Sequence, residues 1–328
     1  MELIKIKDKG LDVVPYIVKR LKEGKIVISP TDTVYGIICD GWNDLSKERI
    51  FEVKRRKREK VLTGFVRDIE EAKKFAEIDG KKEEFVKKKW PGRYTFIFRA
   101  KRKINFIVSS SNEIGIRIPD HPFLLEVLKH FEILASTSAN LSGENSPSCI
   151  DEIDEELKER VDIVVDGGRT DGRESTIWKF VNDKMKLLRG NILFVCEGNS
   201  CRSPIAEAIL KDIIKDKLKI KVESAGVGII NKGEIPDKTR KVLSEIGINI
   251  EKDFSQPLDF RKVEEADIIF VMEERQKEKI ISFLPEAEEK ITVLDIPDPA
   301  GKDFSFYRQI RDIIKEKIEK IVLKRICL

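Results

Sequence analysis

One short segment concentrates much of the reactive chemistry in this 328-residue sequence: Cys196-Glu197-Gly198-Asn199-Ser200-Cys201-Arg202-Ser203-Pro204. A thiol followed six positions later by a guanidinium, with small polar residues between, suits a phosphate-binding loop that carries its own nucleophile. If such a loop opens a helix, its N–H groups converge on one point and the helix dipole adds positive potential there. A phosphate dianion binds at that point, and a thiolate is favoured, so the Cys196 pKa is expected below that of a free thiol. Arg202 offers a planar fork to two phosphate oxygens. Ser203 could donate to the thiolate, Gly198 permits a tight turn, and Pro204 suits the first helical turn. Asp298, in the Asp298-Pro299 pair behind the apolar run ITVLDI, could protonate a leaving group and later deprotonate water. A bare Cys-x5-Arg is weak evidence; the strand expected before it, the Ser-Pro after it and the distant Asp-Pro are independent supports.

Several segments nearer the N-terminus could hold a nucleotide. Ser29-Pro30-Thr31-Asp32-Thr33-Val34-Tyr35-Gly36 follows an expected strand and offers hydroxyls and a turn-forming glycine. Lys54-Arg55-Arg56-Lys57-Arg58-Glu59-Lys60 holds six basic residues in seven. It reads as a solvated helix end or as a polyphosphate or RNA contact. Thr137-Ser138-Ala139-Asn140-Leu141-Ser142-Gly143 ends another expected strand and is either a polar turn or a binding loop. Glu174-Ser175-Thr176 and Arg189 complete the set.

The elements that must position these residues follow from hydrophobic patterning. Between Lys25 and Arg189, the runs at 25–29, 95–100, 115–118, 132–136, 162–166 and 176–181 predict strands. ERIFEVKRR, FLLEVLKHF and DEIDEELKERV predict helices between them, giving a mixed α/β domain over 1–190. From 191 the pattern changes. ILFVC, KIKVESAG, DIIFVM and ITVLDI predict four strands; a helix opens at Ser203-Pro204 and runs to about Lys217, and another begins near Phe304. Strands alternating with helices predict a doubly wound, four-stranded parallel sheet over 191–328. Ile310, Ile313, Ile314, Ile318, Ile321 and Val322 recur at helical spacing and are expected to cover one face of it.

Composition narrows the setting. There are 63 basic and 59 acidic residues for a net charge of +4, so no global field directs the chain to nucleic acid, and any basic site is local. Cys39, Cys149, Cys196, Cys201 and Cys327 form no Cys-x-x-Cys pair, which points to a reducing cytoplasm. The start lacks a secretory pattern, and no apolar run approaches the ~20 residues of a membrane helix, so no membrane partner is expected. Two histidines are too few for a His-rich metal site.

The segment CEGNSCRSPIAEA, with SAG at 224–226 and DPAG at 298–301, resembles the low-molecular-weight protein-tyrosine phosphatases over essentially all of 191–328. The resemblance implies Cys196 as the nucleophile that forms a phosphocysteine, Arg202 as phosphate ligand, Asp298 as general acid, and no cofactor. The phosphate loop is then Gly198, Asn199, Ser200, Cys201 and Ser203. Cys201 matches a cysteine that in relatives can pair reversibly with the nucleophile; a packed thiol is the alternative. Ala300-Gly301 stands where tyrosine-directed relatives carry aromatic residues, and Ser200 where they often place an apolar one. The substrate thus stays open between phosphoarginine, phosphotyrosine and a small molecule, with a phosphoprotein as the expected partner.

In the first part, PTDTVYG, the K-x-R of Lys54 and Arg56, W-P-G-x-x-T, IRIPDHP, the S-x-N of Ser138 and Asn140, and STIW recur in an order similar to the YrdC family. These enzymes make threonylcarbamoyl-adenylate from threonine, bicarbonate and ATP for a tRNA modification. The resemblance implies ATP as substrate with Mg2+ assisting. Lys54, Arg56, Lys60, Ser138, Asn140, Ser146 and Arg189 would bind ATP, and Thr33, Arg117, Ser136 and Ser175 threonine. Lys57-Arg58-Glu59-Lys60, Phe65 and Arg93 depart from the family pattern. The alternative is an active phosphatase joined to a nucleotide- or RNA-binding module without synthesis, with tRNA contact through the 54–60 run.

Overall fold

A computed structural model describes residues 1–6, 10–181, 184–215 and 217–326, so Cys327 lies outside the described residues. The chain forms two compact units, Met1–Met185 and Lys186–Leu328. The sequence pattern places the division at Gly190, a residue that lies within the continuous strand β10 (Lys184–Cys196).

In the first unit the described strands are β1 (Glu2–Lys5), β2 (Val27–Ser29), β3 (Gly36–Asp40), β4 (Thr63–Phe65), β5 (Tyr94–Arg99), β6 (Glu113–Arg117), β7 (Leu134–Ser138), β8 (Ile163–Asp166) and β9 (Thr176–Val181). Their order is β1-β8-β2-β3-β7-β4-β6-β5-β9. The pairing is mixed: β8 runs parallel to β1 and β2, whereas β3 and β7 are antiparallel to each other. The helices Val14–Lys22 and Pro122–Leu128 bury Ile17, Leu21, Leu124 and Val127 against Val27, Ile38, Leu134 and Val165. Apolar residues three and four apart give each helix that single buried face.

All six expected strands of this unit form. β1, β3 and β4 are not evident in the sequence pattern, because TGF is three residues long and GIICD is buried throughout and does not alternate. The strand expected at 132–136 instead spans Leu134–Ser138, so Ser136 and Ser138 lie within it. Ser136 stands opposite Ile38 of β3 and Thr63 of β4, and Ser138 opposite Gly36.

In the second unit, β10 and three further strands, β11 (Lys219–Gly226), β12 (Ile268–Val271) and β13 (Ile291–Val293), form the expected parallel sheet. The order is β11-β10-β12-β13, with β10 central. Residues 192 to 196 are all buried, as a strand covered on both faces requires. Leu193 and Val195 pack with Ile269, Val271, Val263 and Ile280 on one face. On β10 and β12, Phe194 stacks against Phe270 with ring centroids 5.5 Å apart. The helix Arg202–Ile214 starts six residues beyond the end of β10 and stops three residues short of the expected Lys217. The helix Phe304–Lys317 buries Ile310 and Ile314, Ile318 and Val322 are buried just beyond it, and it packs against the helices Arg202–Ile214 and Asp237–Ser244.

β10 and β11 end together, with Cys196 in register with Gly226. A Cβ on Gly226 would lie 2.6 Å from the Glu197 carbonyl oxygen and 2.8 Å from the Asn199 nitrogen, so space, not φ, demands glycine here. Gly226→Ala is expected to destabilise this unit by about 1–3 kcal/mol as the backbone gives way. Chemical denaturation followed by near-UV signals checks this; an unchanged midpoint would mean the loop shifts freely.

Candidate active sites

In the second unit, the end of β10 delivers Cys196 to the mouth of the helix Arg202–Ile214, with the sulfur buried. The Cys196 Sγ lies 3.0 Å from the Ser203 hydroxyl and accepts the Asn199 N–H at 3.2 Å. The loop reverses through Asn199, whose φ is +46°, so the residue that takes the left-handed conformation is Asn199 and not Gly198. Ser200 fixes the loop rim through its carbonyl, which accepts from Thr239 Oγ1 at 2.9 Å. Cys201, also buried, has its sulfur 3.2 Å from the Tyr307 hydroxyl and 3.6 Å from the Ser200 hydroxyl. Cys196 and Cys201 are both free thiols.

Arg202 is 2% exposed, and both of its terminal nitrogens make hydrogen bonds. Nη1 donates to Glu273 and, at 3.0 Å, to the Ile296 carbonyl; Nη2 donates to Asp298 Oδ2 at 2.5 Å. Thus Cys196, Arg202 and Asp298 share one sheet edge, as anticipated. Asp298 is partly exposed, with its second oxygen accepting the Ala300 N–H at 3.0 Å. Glu273 was missed in the sequence because it sits in the charged stretch MEERQKEK, where one carboxylate looks like another. Burial works against its ionised form, but Arg202 and Arg275 hold its carboxyl below the ordinary range.

Burial is also the largest influence on Cys196, and it pushes the thiol above its ordinary value. The Ser203 hydroxyl and amide, the Arg202 charge and the Asn199 amide all pull the other way. The expectation of a lowered pKa is therefore not met in this arrangement. The physical reason is that the sulfur is shut away from water, and burial outweighs the donors and the charge around it.

In the first unit, loops distant in sequence are stitched together by backbone hydrogen bonds. Tyr35 N–H donates to Pro147, Ala139 N–H to Tyr35, Ser142 N–H to Lys54, and Gly172 N–H to Thr33. Arg117, at the end of β6, is buried: Nη1 donates to Thr33 Oγ1 at 2.9 Å, Nη2 to Asp32 at 2.6 Å and Nε to the Gly92 carbonyl at 3.1 Å. Burial pushes its pKa down and Asp32 opposes that. Thr33, Ser136 and Ser175 are likewise buried; Ser175 accepts from Thr95 Oγ1 at 3.2 Å, and Thr33 lies 2.9 Å from the Thr31 hydroxyl. Ser146 donates to Glu174 at 2.5 Å.

Lys54 and the S-x-N turn do meet, though not with an ammonium open to phosphate. The Lys54 Nζ donates to the carbonyls of Ser138 and Asn140 and, at 3.3 Å, to the Asn140 side chain, and Lys54 is 1% exposed. Arg56 donates to the carbonyls of Lys60 and Val61. In the remaining basic run, Arg55 forks onto Glu156 at 2.7 Å and Arg58 lies 3.6 Å from Glu48, while Lys57 and Lys60 are exposed. The run follows the end of the helix Asp44–Val53. Arg189 lies on β10 in the second unit, opposite Lys219 of β11.

The fold and the two sites define a protein of two α/β units, one gathering buried hydroxyls around an arginine and the other holding a thiol at a helix N-terminus. Two family models match: Sua5_yciO_yrdC (telomere recombination) over residues 19–190, and low molecular weight phosphotyrosine protein phosphatase over 191–326. The chain belongs to the Sua5/YciO/YrdC family and carries a low molecular weight phosphatase domain behind that family's own. A Methanocaldococcus jannaschii protein, provisionally named threonylcarbamoyl-AMP synthase, is 38% identical over 182 residues, covering 55% of this chain and 86% of that one. Bacillus subtilis threonylcarbamoyl-AMP synthase is 32% identical over 174 residues, covering 52% of this chain and 50% of its own. The structure of a doubly substituted variant of Pyrococcus abyssi Sua5 shares the fold, with a TM-score of 0.54, 23% identity and coverage of 68% of this chain and 82% of that one.

Burial, with Arg56 adding repulsion, pushes the Lys54 ammonium down to about 7, against Glu174 and Glu144. In the unfolded chain the group returns to 10.5, so between those values the unfolded state binds more protons and stability rises with pH. Comparing Lys54→Met with the parent, the parent is expected to gain stability relative to the variant from about pH 7 to 10. Denaturant midpoints at pH 7 and 9 test it; parallel pH profiles would show that Lys54 keeps its proton.

Proposed function

We propose that the chain is a bifunctional enzyme that makes threonylcarbamoyl-AMP in its first unit and hydrolyses phosphorylated side chains of proteins in its second. The observation that carries the phosphatase reading is the Cys196 sulfur held between the Ser203 hydroxyl and the Asn199 N–H beside the Arg202–Asp298 pair. In the first half-reaction the Cys196 thiolate attacks phosphorus, the bond to the leaving group breaks, and Asp298 supplies that group's proton. Water, deprotonated by Asp298, then attacks the phosphocysteine, and the thiolate departs with a hydrogen bond from Ser203. Arg202 and the loop amides take the charge on the equatorial oxygens. A dianion at the loop competes with Asp298 and Glu273 for Arg202, which frees Asp298 to hold the proton it must donate.

The synthase reading rests on the names of the relatives and on the buried hydroxyl cradle around Arg117. Threonine's carboxylate suits Arg117, with Thr33, Ser136 and Ser175 around its amine and hydroxyl. Threonine's nitrogen takes up CO2, the carbamate oxygen attacks the α-phosphorus of ATP, and pyrophosphate leaves. Ser138, Asn140 and Ser146 would bind nucleotide, with Arg56 and Lys60 at its phosphates and Lys54 pinning the S-x-N turn from behind. Among the described residues no cluster of His, Cys, Asp and Glu is disposed to hold a metal ion. Mg2+, which one or two carboxylates together with nucleotide phosphates suffice to hold, would accompany the triphosphate. The closed environment of Lys54 favours one second reading, nucleotide binding without synthesis. Contact with tRNA through residues 54–60 would use the exposed side chains of Arg55, Lys57, Arg58 and Lys60.

Among the described residues no helix is long and apolar enough to cross a membrane. A cytoplasmic setting is proposed from the free cysteines and the two activities.

Pyrophosphate release from ATP is expected only when threonine and bicarbonate are both present. Nucleotide binding without release would leave the second reading standing. Cys196→Ser should abolish hydrolysis of aryl phosphates and of phosphoarginine or phosphotyrosine peptides. Asp298→Ala should slow poor leaving groups by about 10²-fold or more and good ones far less. Equal slowing of both kinds would remove Asp298 from the proton-donor role.

A further inference from the structure

Around the mouth of the phosphate loop, charged side chains of alternating sign form one chain of contacts. Asp298 and Glu273 accept from Arg202, and Glu273 Oε2 accepts from Arg275 Nε at 2.5 Å. Arg275 Nη2 lies 3.8 Å from Glu197 Oε2, and Glu197 Oε1 accepts from Lys279 Nζ at 3.1 Å. Glu197 directly follows the nucleophile. Its side chain leans over Gly228, where a Cβ would lie 2.2 Å from Oε1. The Gly228 N–H donates to the Glu197 carbonyl at 3.0 Å, so backbone and side chain of Glu197 rest against the same glycine.

The carboxylates of this chain differ in what their oxygens accept. Glu273 gives one oxygen to each of two arginines, Arg202 and Arg275. Asp298 gives Oδ2 to Arg202 and Oδ1 to the Ala300 N–H. Glu197 gives Oε1 to Lys279, but its Oε2 is buried and accepts no hydrogen bond. Arg275 Nη2, at 3.8 Å, is too far to donate one. A buried carboxylate oxygen without a donor is costly, and most so when an apolar group is set against it. The phenyl ring of phosphotyrosine has no donor to offer. The guanidinium of phosphoarginine carries N–H donors and a positive charge next to the phosphoryl group, and Glu197 stands next to the residue that attacks that group. A planar guanidinium meets a carboxylate with charge-assisted hydrogen bonds.

We propose that Glu197 is a specificity-determining residue of the phosphatase site: its Oε2 accepts an N–H from the guanidinium of phosphoarginine, which the second unit therefore hydrolyses in preference to phosphotyrosine. The inference deepens the phosphatase reading and rests on it for turnover. As the Cys196 thiolate attacks phosphorus, the P–N bond breaks and its electron pair stays with nitrogen. The proton that Asp298 gives to that nitrogen lets the arginine leave as a guanidinium, so its contact with Glu197 lasts through the step. Water then releases phosphate from Cys196, as it would for any substrate of the site.

The test compares a phosphoarginine peptide with a phosphotyrosine peptide of otherwise identical sequence, using the full chain, with thermal unfolding as a control. The parent should show the higher kcat/KM on phosphoarginine. Glu197→Gln, which keeps the shape and loses the charge, should lower the phosphoarginine-to-phosphotyrosine ratio of kcat/KM about tenfold. Glu197→Leu, which also loses the acceptor, should lower it further. Equal losses on both peptides would make Glu197 only a clamp between the loop and Lys279, and would overturn the proposal. A parent that prefers phosphotyrosine overturns it too. Binding is read separately on the Cys196→Ala protein, by fluorescence anisotropy of the same two peptides carrying a fluorescein label, where no turnover is needed. Tighter binding of phosphoarginine that is lost on adding Glu197→Gln, in a chain whose parent hydrolyses neither peptide, supports the role of Glu197 and refutes only the phosphatase reading. Cys196-dependent hydrolysis with a ratio that Glu197→Gln does not move refutes only the role of Glu197.

Discussion

A guanidinium removed from water must be given counter-charge and hydrogen-bond acceptors, because its desolvation is otherwise too costly to tolerate. Both units are organised around that constraint. In the first, Arg117 is buried at the end of β6 and held by Asp32, Thr33 and the Gly92 carbonyl. In the second, Arg202 opens a helix and is held by Glu273, Asp298 and the Ile296 carbonyl. Each arginine carries an aspartate, so the protein's own carboxylates supply the counter-charge that burial demands.

How far the sequence discloses this depends on whether a feature is local. The thiol, the guanidinium six positions on and the Ser-Pro after it lie in one short run, and the strand and helix flanking them follow from apolar periodicity. Asp298 is distant, yet an Asp-Pro pair just beyond a strand marks itself. Glu273 carries no such mark: it is one charged residue among many in a chain with 122 side chains of that kind, and only tertiary folding selects it. Asn199, not Gly198, takes the positive φ, because an asparagine whose side chain is fully hydrogen-bonded can be held where a glycine would merely be allowed.

The first unit shows a subtler limit. The residues of K-x-R and S-x-N are indeed adjacent, since Lys54 binds the Ser138 and Asn140 carbonyls. Residue type suggested an ammonium reaching toward phosphate; the fold turns it inward to fasten the turn. A basic run likewise suggested a positive surface, but Glu156 and Glu48 arrive from elsewhere in the chain to pair with Arg55 and Arg58. Charge read along a sequence counts the cations and is blind to the partners that folding brings. The shift of β7 by two residues has the same origin: pairing with β3 and β4 fixes its register, and EILAS alone cannot.

The state of the Cys196 sulfur brings these strands of reasoning together. Burial raises its pKa and is the largest influence, while the Ser203 hydroxyl and amide, the Arg202 guanidinium and the Asn199 amide pull it down. A phosphate entering the loop displaces carboxylate from the guanidinium, but it brings negative charge of its own, so the substrate does not by itself make the sulfur more acidic. What survives the exchange is the set of neutral donors aimed at the sulfur, the Asn199 N–H and the Ser203 hydroxyl. A proton passed from the thiol to the incoming dianion would leave a monoanion facing a thiolate, with less mutual repulsion and the same donors in place. The arrangement of neutral dipoles, rather than the net charge of the pocket, is then what makes the nucleophile usable.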